Sequence, residues 1–193
     1  MHSSLGTIVP NPAWRLIWAL NSIKDSDENI LIEGFYDAVR PPLSEELQAI
    51  RALPSDDVEF RENLGIDSYI KGLGGEELQL RNILQPACNI NGFISGYTGE
   101  GSKTVLPCIA RAKIDIRLVP DQRADDILVK LRKHLDKNGF PDIIISAEEG
   151  ENPARTPLDS PFVKVITNAA KEIYGTEPII KPSMTGSGPM FAF

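Results

Sequence analysis

An α+β fold is predicted: a small antiparallel sheet with helices on one face. Three features of the sequence carry that expectation. Over Ala110–Val119 the residues Ala110, Ala112, Ile114, Ile116 and Leu118 alternate with Arg111, Lys113, Asp115, Arg117 and Val119, the period of a strand buried on one side. Apolar residues recur at helical spacing over Ala13–Lys24 and again over Ala124–Leu135. Across Ala13–Ala147 the elements run helix, strand, strand, helix, strand. With one more strand in front, this is the split βαββαβ, ferredoxin-like order.

The first helix starts at an Asn11 cap with Pro12 in the first helical position, where a missing N–H costs nothing. Its stripe is Ala13, Leu16, Ile17, Leu20 and Ile23; Trp14 and Trp18, four residues apart, make a second apolar face. That second face packs into the core or against another subunit. Ile30–Tyr36 reads as a short strand closed by Pro41-Pro42, and Ser44–Leu53 as a helix with Glu45 and Glu46 in its first turn. Ser55–Gly75 is polar and turn-rich with weak helical signals, a surface excursion or lid loop. Strands follow at Pro86–Tyr97 and Val105–Val119, joined by the glycine-bearing Thr98–Ser102. The helix over Ala124–Leu135 opens with Asp125 and Asp126 and stops at Asn138-Gly139. Pro141–Ala147, with three consecutive isoleucines, reads as a buried strand. The acidic, proline-bearing Glu148–Pro157 marks a domain boundary, giving domains of residues 1–150 and 151–193. Beyond it, Pro161 opens a helix that Gly175 closes, and Glu177–Lys181 reads as a last short strand.

Composition narrows the function. With 20 basic and 27 acidic residues the net charge is −7, which repels phosphate backbones and argues against nucleic acid. No run of apolar residues is long enough for a membrane span, and Met1–Pro10 lacks the basic and apolar regions of a secretory signal. The expected location is the cytoplasm, with Cys88 and Cys108 as reduced, largely buried thiols rather than a disulfide between neighbouring strands. Two histidines and two cysteines are too few for a complete site rich in either.

Few residues stand out for chemistry. His2, beside the terminal methionine, looks like a disordered end, and His134 falls on the charged side of its helix near the C-terminal end. Arg117 lies on the polar face of the clearest strand, just before Pro120, either on a solvated sheet face or as a bidentate fork for a carboxylate. Thr104 follows the glycine connection, and Thr185-Gly186-Ser187-Gly188 is a turn able to cradle an anion with backbone N–H groups.

Longer motifs point further. His2-Ser3-Ser4-Leu5-Gly6, Pro86–Phe93 (PACNINGF), Ser102–Gln122 (SKTVLPCIARAKIDIRLVPDQ), Asn152–Phe162 (NPARTPLDSPF) and Thr185–Pro189 (TGSGP) occur in an order that resembles one family. It is the zinc amidohydrolases and metallopeptidases that include carnosine-type dipeptidases, carboxypeptidase G, acetylornithine deacetylase and succinyl-diaminopimelate desuccinylase. In that family a catalytic α/β domain with two metal ions carries an inserted domain that dimerises and acts as a lid. The resemblance implies that residues 1–150 are the dimerisation/lid domain and 151–193 a partial return into the catalytic domain. It implies that the chain holds no cofactor itself, that two zinc or other divalent ions serve the parent enzyme, and that the chain alone is inactive.

The resemblance also implies roles for single residues. His2 matches the lid histidine that stabilises the tetrahedral oxyanion in the partner subunit's site. Thr104 matches a threonine touching substrate, Arg117 the arginine binding the substrate carboxylate, and Ser187 with Gly186 a second contact to that end. Expected partners are a second copy of the chain, through the lid, and a small carboxylate-bearing peptide or N-acyl amino acid. A strand ahead of the His-Ser motif is missing, so Glu177–Lys181 or a partner chain is expected to fill its slot unless the strands close up. The rival is a stand-alone ferredoxin-like module that senses a ligand or mediates assembly.

Overall fold

A computed structural model describes residues 1–54, 56–147, 150–186 and 188–192. Its α-helices are α1 (Pro12–Ile23), α2 (Ser44–Arg51), α3 (Asp57–Leu64), α4 (Gly75–Leu84), α5 (Ala124–Lys137) and α6 (Pro161–Tyr174). Its strands are β1 (Ala87–Ser95) and β2 (Ala110–Arg117), and short 3-10 turns lie at Ser3–Thr7, Ile70–Gly72 and Pro189–Ala192. The chain forms two compact units: Met1–Ala38 with Pro86–Leu118 and Arg123–Gly150, and Val39–Gln85 with Val119–Gln122 and Glu151–Phe193.

The first unit is the α+β part. Asn11 caps α1 through its Oδ1, which accepts the Ala13 N–H at 2.8 Å, and Pro12 fills the first turn. β1 and β2 pair antiparallel from Ala87↔Arg117 to Ser95↔Ala110, and Asn91 is the extra residue of a bulge between Ile90 and Gly92. The bulge resets the two-residue alternation, so Phe93, opposite Ala112, lies on the same face as Cys88, opposite Ile116. The core on that face joins Ala19 and Ile23 of α1, Ile30, Ile32 and Phe35, Cys88 of β1, and Ile127, Leu131 and Leu135 of α5. Arg15 of α1 donates through Nε to Asp142 at 2.6 Å, and that guanidinium holds the Asp142 carboxyl down at about 2.

Several expectations change here. Ile30–Tyr36 is not a strand: Ile30 makes one bridge to Lys24, and the chain then turns, with Gly34 at φ 74° and Phe35 N–H donating to Ile32 O. Its alternating apolar residues are buried all the same, because a turn also buries Ile32 and Phe35. Pro141–Ala147 has strand composition but no ladder; Ile143 and Ile145 pack on the core while Ile144 is 91% exposed. A strand needs a partner's N–H and C=O groups, and β1 and β2 are the whole sheet among the described residues. His134 is buried rather than solvated. On α5 it lies seven residues after Ile127 and next to Leu135, so it meets the seam with α1, where its Nε2 is 2.9 Å from Ser22 O. Cys88 is buried and Cys108 exposed, both free.

The second unit is helical. α2 and α4 pack through Ile50, Ile83 and Leu84, with Leu53 and Leu80 beside them. The turn-rich excursion holds α3, closed by Gly65 at φ 67°, and α4 follows at its end, unforeseen in the sequence. Glu177–Lys181 is not a strand. Glu148, Glu149 and Ser55, which the sequence placed in the boundary and the excursion, lie outside the described residues. Among those described, no helix is long and apolar enough to cross a membrane.

Candidate functional site

Two site residues of the first unit, His2 and Thr104, meet where the start of the chain joins the segment after the glycine connection. Met1 O accepts the Leu106 N–H at 2.8 Å and Ser3 N–H donates to Thr104 O at 3.3 Å, so His2 and Val105 face each other in a short antiparallel bridge. Leu106, 3% exposed, anchors the bridge. His2 caps the 3-10 turn Ser3–Thr7: its Nδ1 accepts the Ser4 N–H at 3.2 Å and lies 2.8 Å from Ser4 Oγ.

That cap assigns the tautomer. A backbone N–H can only donate, so Nδ1 carries the lone pair and the neutral ring has its proton on Nε2. Nε2 lies 3.3 Å from Thr104 Oγ1, and both side chains are exposed. The pair therefore presents a positioned N–H and a hydroxyl at the surface. A donor of that kind is what an oxyanion accepts from.

Arg117 ends β2 with its side chain about half exposed, and its Nε donates to Asp115 Oδ2 at 2.7 Å, two residues back on the same strand face. A planar fork is present at the end of the sheet, drawn to a neighbouring carboxylate. Gly186 lies in an exposed bend of the second unit. A Cβ there would meet Met184 Cε at 3.6 Å, ordinary contact, so space does not demand glycine. Ser187 lies outside the described residues. Sequence reasoning placed His2 and Thr104 but missed Ser4, although a serine two positions after a histidine at the start of a turn is a local capping signal.

The described residues hold no group of three or more His, Cys, Asp or Glu side chains able to bind a metal ion, so a divalent metal does not fit on them.

The comparisons with known proteins follow this geometry. A family model described as a peptidase dimerisation domain of the M20 group matches residues 1–142. The human Beta-Ala-His dipeptidase is 28% identical over 183 residues, covering 92% of this chain and 36% of that protein. The Cys-Gly metallodipeptidase DUG1 of Saccharomyces cerevisiae is 28% identical over 198 residues, 92% of this chain and 38% of the relative. Among solved structures, the M20 family metallo-carboxypeptidase Sso-CP2 from Sulfolobus solfataricus superposes with TM-score 0.89 at 38% identity, over 98% of this chain and 43% of that one. The chain thus spans less than two-fifths of the length of these two curated relatives. A mixed fold of the same shape, and a family match over most of the chain, lead to one conclusion: the chain belongs to the M20 peptidase dimerisation domain family.

Proposed function

We propose that this chain is the dimerisation and substrate-capping part of a metal-dependent, cytoplasmic peptidase or deacylase that hydrolyses amide bonds of dipeptides or N-acyl amino acids. The observation that carries the reading is the exposed His2–Thr104 pair, with Nε2–H fixed as donor by the Ser4 N–H. On this reading His2 donates to the oxyanion formed as the amide carbonyl becomes tetrahedral, in the site of a second subunit. Thr104 contacts the same substrate. Arg117 exchanges Asp115 for the substrate carboxylate. Gly186 and Ser187 supply a second contact to that end. Two divalent ions, zinc or another, belong to residues outside this chain, and the chain alone is inactive. The metallodipeptidase relatives favour this over a stand-alone module.

The domain limits are 1–150 for the lid and 151–193 for the return into a catalytic domain, supported by a family match that ends at residue 142. We read the lid as a ferredoxin-like sheet lacking its first strand. The order α1, β1, β2, α5 and the strand-like but unladdered Ile143–Ile145 support that reading. A second copy is expected on the face made by Trp14 and Trp18, exposed and stacked at 6.2 Å. The test uses the full-length protein that carries the chain. Arg117→Ala is expected to raise KM for carboxylate-bearing substrates by about 10-fold or more, the worth of a charge-assisted hydrogen bond. His2→Ala is expected to lower kcat by about 10²–10³-fold, as the loss of one oxyanion donor does. An unchanged KM removes the role of Arg117, and an unchanged kcat that of His2.

A further inference from the structure

The connection between β1 and β2, residues 96–109, is much longer than the roughly 2–5 residues that close a hairpin. A loop of that length keeps one shape only where its own side chains pack it. Its base is tied by Ser95, whose Oγ donates to Ile109 O at 2.9 Å. Gly96 at φ 72° and Gly101 at φ 79° make the left-handed turns that a side chain disfavours. Between those two glycines in the sequence, Tyr97 folds back onto the chain.

Three contacts hold the Tyr97 ring there. Its hydroxyl donates to Glu100 O at 2.9 Å. Its face carries Lys103, whose Nζ lies 5.7 Å from the ring centroid, within reach of a cation–π attraction. A Cβ on Gly99 would stand 2.6 Å from Tyr97 Oη and 2.7 Å from Cζ, so the ring comes this close only because residue 99 is glycine. Thr104 follows Lys103 directly, and the backbone around it is fixed from the other side. Val105 N–H donates to Lys103 O at 2.9 Å, Ser3 N–H to Thr104 O at 3.3 Å and Leu106 N–H to Met1 O at 2.8 Å. Thr104 therefore lies between two clamps, the ring before it and the bridge after it, and its Oγ1 is 3.3 Å from His2 Nε2.

We propose that Tyr97 is a positioning residue of the His2–Thr104 site: its ring draws in residues 98–103 and so sets the Thr104 hydroxyl against the imidazole. Without the ring, Glu100 and Lys103 lose their common anchor, and the segment before Thr104 gains conformers. Tyr97 itself is about half exposed, so the core does not depend on it. The consequence for catalysis rests on the reading of His2 and Thr104 as substrate contacts; the positioning is a property of this chain and is measured without substrate.

The test combines NMR on the full chain with kinetics on the full-length protein that carries it. In the chain, nuclear Overhauser contacts between the His2 ring and the Thr104 side chain are expected, and Tyr97→Ala is expected to abolish them. Exchange of the Ser3 and Leu106 amides is expected to speed up about 10-fold, the combined worth of a hydrogen bond and an exposed cation–π contact. The amides of the β1–β2 ladder are expected to keep their protection. Tyr97→Phe, which keeps the ring over Lys103 and against Gly99, is expected to restore all but about 3-fold of that loss. Gly99→Ala, which pushes the ring aside and leaves Tyr97 in the chain, is expected to act like Tyr97→Ala. In the full-length protein Thr104→Ala is expected to lower kcat/KM, and adding Tyr97→Ala to lower it no further, because one residue acts through the other. Contacts and exchange unchanged in Tyr97→Ala would overturn the proposal, as would loss of ladder protection or additive losses in the double variant. Undiminished kcat/KM in Thr104→Ala would overturn the reading of the site instead, and the NMR result alone would then decide the positioning.

Discussion

Trp18→Ala tests the proposed homodimer most directly. Trp14 and Trp18 stack at 6.2 Å on α1 and are 56% and 57% exposed. In the same unit, β1 carries no charged side chain from Ala87 to Ser95, and Ile90, Phe93 and Ile94 are about half exposed. An uncharged edge strand and a stacked, exposed aromatic pair are both surfaces that need a cover. A tryptophan that buries 150–250 Å² when covered still offers roughly 85–140 Å² at this exposure. At about 25 cal/mol per Å² that is about 2–3.5 kcal/mol per ring. In a two-fold dimer one substitution removes a ring from each side, doubling the loss to about 4–7 kcal/mol as an upper limit. Even half of the lower figure, about 2 kcal/mol, weakens dimerisation about 30-fold. Sedimentation equilibrium over a dilution series measures this, with thermal unfolding as the control. Because the ring is exposed in the single chain, unfolding of the monomer is expected to change by about 0.5 kcal/mol or less. A dimer dissociation constant unmoved by Trp18→Ala, or a chain that is monomeric at every concentration, would refute the assignment of this face.

Two further substitutions probe the first unit alone. Phe35, 1% exposed and in edge contact with Tyr36 at 5.2 Å, is the largest fully buried side chain among the described residues, so Phe35→Ala is expected to cost about 3–5 kcal/mol in denaturant unfolding. A loss under about 1 kcal/mol would mean that this core collapses around the gap. The Asp142 carboxyl, held at about 2 by Arg15, has a lower pKa folded than unfolded. Its contribution is therefore fully present above the ordinary carboxylate range and lost as pH falls toward 2. Asp142→Asn is expected to flatten the stability profile between about pH 4 and pH 2, and an unaltered acid limb would show that the Arg15 pair does not act in solution.

What was legible in the sequence is what is decided locally. The Asn11 cap, Pro12 and the apolar stripe specify α1, and the alternation over Ala110–Val119 specifies β2; the ladder holds the alternating part, Ala110–Arg117, while the expected start at Val105 makes only a bridge to His2. Ile30–Tyr36 and Pro141–Ala147 have the composition of strands, but a ladder is a relation between two segments, and neither segment contains its partner. α4 went unseen for a different reason. It starts at Gly74-Gly75, which reads as a turn, and Glu76 and Glu77 at its start, favourable to the helix dipole, look like loop polarity. Only contact with α2 gives Ile83 and Leu84 a reason to be buried.

The candidate site divides along the same line. That Nδ1 of His2 is the acceptor follows from Ser4, two residues away, and a capping rule finds it. That Nε2 faces Thr104 spans 102 residues of chain, and no spacing reports it; the motif order suggested both residues, and the bridge between His2 and Val105 joins them. Arg155 shows the converse. It sits inside the NPARTPLDSPF motif as an unremarkable surface-type residue, yet its guanidinium is buried against Glu46, a residue of α2 that sequence alone assigns to a first-turn dipole contact. Charge in the sequence predicts exposure only until a partner is found. Here one buried carboxylate holds two arginines, a pairing visible only once all three side chains are placed.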